Sequence, residues 1–209
     1  MSALSKLLNP SYPIVIAQYK RDDYGVGSEQ YLHWALIVLT SKEELEGHCF
    51  QAVDRHYSDG RGTVWEPHYT PSASLRKTTK CLGGVQIGSV KARKLDALVM
   101  LVRAHPTTPK FEGWNCRDWI LEVVELLATE GWINKSFVAS GEDPQARLLI
   151  DFRKVSQNTV ARSQDEFNPD VQWIQWYVRA SSETWSQLTV RDIRFISLLY
   201  SSPYCLVLH

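Results

Sequence analysis

Residues 31–39, YLHWALIVL, are apolar on both faces of the strand they predict. Such a strand has to lie in the middle of a core, with packing above and below it. Short β-rich runs separated by turn residues surround it. Residues 14–20 (IVIAQYK) precede it and stop at the charged, glycine-containing stretch RDDYGVGSEQ. Ser41 to Gly47 predicts a charged turn and Phe50 to Val53 a third strand. Asp59 to Gly62 (DGRG) predicts another turn, TVWEPHY a fourth strand, and residues 82–88 (LGGVQIG) a further short one.

Two helices follow. Residues 90–104 place Leu95, Leu98, Val99 and Val102 on one face, with lysines and arginines outward. The basic cluster Lys91, Arg93 and Lys94 is read as the solvated side of that helix. His105-Pro106 ends it. In residues 111–131, Trp119, Ile120, Val123, Val124 and Leu127 recur at helical spacing. Asn115 is a strong N-cap residue, Asp118 stands where a capping-box acid belongs, and Gly131 suits the end. Residues 14–132 therefore predict an α+β core domain, an antiparallel sheet packed against helices.

Residues 133–209 read as a C-terminal extension of unknown role. Residues 134–170 are polar with poor periodicity, VQWIQWYVRA fits strand or helix, and the chain ends in apolar residues. A lid or extra layer on the core and a divergent ending from altered splicing or reading frame both stand open.

The chain carries 23 basic and 23 acidic residues, so no global field points to nucleic acid or a membrane surface. It has no run long and apolar enough to span a bilayer, and MSALSKLLNPSYPIVI lacks the features of a signal peptide. The expectation is a soluble, cytoplasmic protein without membrane insertion. Cys49, Cys81, Cys116 and Cys205 are widely spaced, with no C-x-x-C pair. His48 with Cys49, and His56 with His68, match no known metal-ligand spacing, so neither metal nor cofactor is expected.

Cys116 falls at the first position of its helix, where unpaired N–H groups and the helix dipole favour an anion. That setting is expected to lower the thiol pKa, as a nucleophile requires. The matching base is His33, on the doubly apolar strand. Imidazole accepts a thiol proton and later delivers it to a leaving group. Trp34, Trp65 and Trp114 are candidates to line a groove, with core packing the stronger reading for Trp34.

The segments HWAL (33–36), FQAVD (50–54), VWE (64–66), QIG (86–88) and NCRDW (115–119) occur in that order. This pattern resembles the circularly permuted NlpC/P60-type papain-like fold, whose relatives include the lecithin:retinol acyltransferase-like proteins and the PPPDE peptidases. It is most similar to a group of uncharacterised fungal proteins of that type. The resemblance covers roughly residues 14–132 and implies histidine before cysteine, the reverse of the usual papain order.

Carried onto this chain, the resemblance implies Cys116 as nucleophile, His33 as base and Gln51 as the third, polar group. Related patterns often have histidine at the third position. Glutamine can accept from an imidazole N–H but adds no charge to stabilise an imidazolium. His48 is a nearby substitute on the opposite strand face. The function so implied is hydrolysis or acyl transfer at an amide, ester or thioester bond of a peptide, protein or lipid-ester substrate. The alternative is an inactive module of the same fold that binds a peptide or protein partner.

Overall fold

The computed structural model describes residues 9–21, 23–134, 137, 143–165, 176–179 and 185–188. Strands β1 (Ser11–Tyr19), β2 (His33–Ser41), β3 (Glu46–Tyr57), β4 (Gly62–Ser74) and β5 (Cys81–Lys91) form an antiparallel sheet in the order β4-β3-β2-β1-β5. Strand β6 (Trp176–Arg179) adds parallel to β5, and β7 (Trp185–Leu188) pairs antiparallel with β6. Among the described residues, three α-helices accompany the sheet: α1 (Leu95–Arg103), α2 (Cys116–Thr129) and α3 (Pro144–Asp165). The α+β class follows directly.

The doubly apolar segment lies inside the sheet, between β1 and β3, as its composition demands. Trp34, Leu36 and Val38 pack with Ile14, Ile16, Phe50 and Val85 against helix residues Leu98, Val102, Trp119, Ile120 and Val123. Ala35, Ile37 and Leu39 face the other way, into a smaller cluster with Val15, Ala17, Leu45, Cys49, Leu75 and Cys81. Alternation along one strand thus feeds two cores.

Several elements differ from expectation. Strand β3 is longer than Phe50–Val53, and β4 runs on to Ser74 although it contains Pro67 and Pro71. At the sheet edge its missing N–H groups need no ladder partner. The helix expected from residue 90 begins at Leu95. Its first residues belong to β5, where Ser89, Val90 and Lys91 pair with Pro13, Tyr12 and Ser11 and Ala92 N–H donates to the Pro10 carbonyl.

Helix α3 lies in the stretch read as aperiodic. Leu148, Phe152 and Val155 are buried in the helix-side cluster, so α3 belongs to the packed core. Its buried face also carries Asp151, Ser156 and Thr159, which dilutes the apolar stripe. Residues 176–179 of the aromatic segment are strand. The apolar ending and Cys205 lie outside the described residues, as does the LSKLL segment near the N-terminus. Among the described residues, no helix is long and apolar enough to cross a membrane.

Candidate functional site

The N-terminus of α2 is fixed by its own sequence. Asn115 Oδ1 accepts from Arg117 N–H at 3.0 Å, and Asp118 Oδ2 accepts from Asn115 N–H at 2.8 Å, closing a capping box. Cys116 is therefore the first helical residue and is buried. The Trp34 backbone N–H supports its thiolate form, as do the nearby Arg21 and Arg117 charges. Burial outweighs them and pushes the thiol up. The lowered pKa expected from the helix end is thus corrected: the resting group is a neutral thiol.

His33 opens β2, half-buried, with its ring centroid 6.4 Å from that of Tyr19. Its Nε2 is 2.8 Å from Gln51 Oε1. Burial pulls the imidazole pKa down, helped by Arg21, while Gln51 and Asp54 act the other way. With Gln51 in this orientation its amide oxygen accepts, so a neutral His33 carries its hydrogen on Nε2 and keeps the Nδ1 lone pair.

Sheet register explains how β3 reaches His33. The β2–β3 ladder runs from Leu36↔Phe50 to Ser41↔Glu46, so His33–Ala35 and Gln51 stand beyond its end. Gln51 spans that gap with its side chain. Cys116 and His33 share the electrostatic influence of Arg21 and Asp54, which are themselves paired at 3.1 Å. Cys116 addresses the Trp34 N–H, one residue along the strand from His33. Among the described residues, no hydrogen bond joins the thiol to the imidazole.

A cleft of about 430 Å³ opens beside the cysteine, lined by Arg21, Asp23, Tyr24, Gln30, Tyr31, Leu32, Asn115, Cys116 and Arg117. Arg117 is held by Asn115 Oδ1 at 3.0 Å and by the Gln30 carbonyl, which ties the loop before β2 to the start of α2. Tyr24 and Tyr31 are exposed and lie 4.7 Å apart between ring centroids. Behind this loop, buried Glu29 accepts from Gly27 N–H at 2.8 Å and from Ser156 Oγ at 3.0 Å. Arg153 of α3 pairs with its other oxygen at 3.3 Å. Burial alone would raise the Glu29 pKa, yet these donors hold the carboxyl below its ordinary value.

The remaining candidates have structural partners. His48 bonds the Tyr69 hydroxyl through Nδ1 at 2.7 Å and stacks on that ring. Trp34 is buried against Phe152, and Trp114 meets Trp65 edge-on at 5.5 Å. Asp54 pairs with Arg21 and Glu66 with Arg55. Cys49 and Cys81 are free and buried, and burial pushes both thiols to about 12. Among the described residues, no group of three His, Cys, Asp or Glu side chains is placed to hold a metal ion.

The sequence offers His68 only as an unmatched metal ligand and gives Arg21 no place near the site. Gln51 lies opposite His68 in the β3–β4 register, and Gln51 Nε2 is 3.0 Å from His68 Nδ1. The available signal was the length of the hairpin across DGRG, which sets that pairing. No curated protein and no solved structure matches the chain. A family model does match residues 13–146, more than half of the sequence, so the chain belongs to the family of unknown function DUF6914.

Proposed function

We propose that this protein is a cysteine-dependent hydrolase or acyltransferase acting on an amide, ester or thioester, with Cys116 as nucleophile, His33 as base and Gln51 as the residue that positions the base. The permuted papain-like resemblance fits that order. The observation that carries the reading is the 2.8 Å contact between His33 Nε2 and Gln51 Oε1, a positioned imidazole that shares the Arg21 and Asp54 charges with the helix-end thiol of Cys116.

Both groups rest uncharged, because burial raises the thiol and lowers the imidazole. Proton transfer therefore accompanies attack. The Cys116 sulfur adds to the carbonyl carbon while His33 Nδ1 takes the thiol proton. The carbonyl oxygen becomes an oxyanion, for which the Cys116 backbone N–H at the helix start is the natural donor. Collapse expels the leaving group, which takes the proton from His33, and leaves an acyl group on sulfur. Water or another acceptor then repeats the sequence in reverse, with His33 again as base.

Incubation with an activated acyl ester, quenched and mapped by mass spectrometry, is expected to place one acyl group on Cys116. Cys116→Ser should abolish the adduct. His33→Ala should slow its formation by about 10²–10⁴-fold, the usual worth of a positioned base. The second reading, a peptide- or protein-binding module, draws on the burial of Cys116 and its raised pKa. Acylation absent at Cys116, or equal in wild type and His33→Ala, favours that module.

A further inference from the structure

Gln51 does not end the chain of contacts that starts at His33. Its Oε1 faces His33 Nε2 at 2.8 Å and its Nε2 faces His68 Nδ1 at 3.0 Å. A primary amide is nearly symmetric in shape and opposite in hydrogen-bonding character at its two ends. Turning it by half a rotation would keep both contacts and reverse every donor. In that arrangement Gln51 Nε2–H would donate to His33 Nε2, the His33 hydrogen would move to Nδ1, and the nitrogen needed as base would be blocked. The two orientations make equal numbers of hydrogen bonds at Gln51, so the tautomer of His68 decides between them, and an imidazole in water favours its hydrogen on Nε2 with Nδ1 bare.

We infer that His68 is a positioning residue: by offering the Nδ1 lone pair to Gln51 it fixes the amide orientation, and so sets the His33 tautomer that leaves Nδ1 free. The register supports this, since Gln51 and His68 are direct cross-strand partners. His68 also lies on the rim of a second cavity of about 370 Å³, formed with Gln51, Tyr69, Arg103 and Trp119. It is an exposed residue on an edge strand, so replacing it leaves the buried clusters untouched. The inference deepens the proposed Cys116–His33 reading, but its test does not need turnover.

The measurement is ¹⁵N NMR of the imidazole nitrogens of the full-length protein. Wild type is expected to show His33 with a protonated Nε2 and a bare Nδ1. His68→Leu, which offers nothing to Gln51, should shift the His33 resonances toward a mixture of tautomers. His68→Asp, which at neutral pH can only accept, should restore the wild-type pattern. A His33 pattern unchanged in His68→Leu, or a wild-type His33 protonated on Nδ1, overturns the inference. The acylation experiment is read separately, so an inert Cys116 with the expected tautomer shifts would discard the enzyme and keep the positioning role.

Discussion

At the scale of single residues, the site is a contest between charge and burial. Cys116 has an N–H and two arginine charges working for its thiolate, and burial still prevails. His33 shows the mirror effect, since burial favours its neutral form. Gln51 is neutral, so it orients the ring without stabilising a charge on it. Gln51→Glu would place a carboxylate against Nε2 and raise the His33 pKa. The acid limb of a pH–rate profile for Cys116 acylation should then move to higher pH. An unmoved limb would mean that His33 does not govern that profile.

At the scale of elements, α2 delivers the cysteine and its cap holds the first turn in place. Asn115→Ala removes the acceptor for Arg117 N–H and releases the Arg117 Nε contact. A loss of about 1 kcal/mol in urea unfolding is expected. An unchanged midpoint would show that tertiary packing alone sets this helix end. Helix α2 was legible in the sequence because cap, capping-box acid and apolar stripe all agree on one start. The start of α1 was not, because residues 89–91 suit a helix locally and lose to backbone pairing with residues 11–13. Helix α3 escaped notice because Asp151, Ser156 and Thr159 share its buried face. The helix-start place of Cys116 and the pairing of His33 with Gln51 were legible through ordered motifs on separate elements. The His68 contact with Gln51 was not, since it follows from β3–β4 register and not from its neighbours in sequence.

At the scale of the whole molecule, α3 braces the loop that walls the cleft. Glu29 is held by Ser156 and Arg153, and Gln18 Nε2 donates to the Phe152 carbonyl at 2.9 Å. Asp151 on the same helix is buried, and desolvation raises its carboxyl from 3.8 to about 6, against the pull of Lys154 and Arg147. A raised acid favours the folded state in its protonated form. That contribution is complete below the unfolded value of 3.8 and is lost as pH rises through about 6. Asp151→Asn should therefore be more stable than wild type at neutral pH by on the order of 1 kcal/mol, allowing for solvent screening. The difference should disappear in acid. A variant less stable than wild type at neutral pH would show that the charged carboxylate is held by a favourable partner.

The central claim is that His33 acts on Cys116. Iodoacetamide alkylation of Cys116 in the native protein, followed by peptide mapping from about pH 5 to about pH 11 in wild type and His33→Ala, tests it most directly. Wild type should show a rise as His33 loses its proton, below the ordinary imidazole value of 6.5, and then a second rise as the thiol ionises above its ordinary 9.0. His33→Ala should keep only the second rise, and Cys49 and Cys81 should lag behind Cys116 in both proteins. Superimposable Cys116 profiles for wild type and His33→Ala would contradict the account.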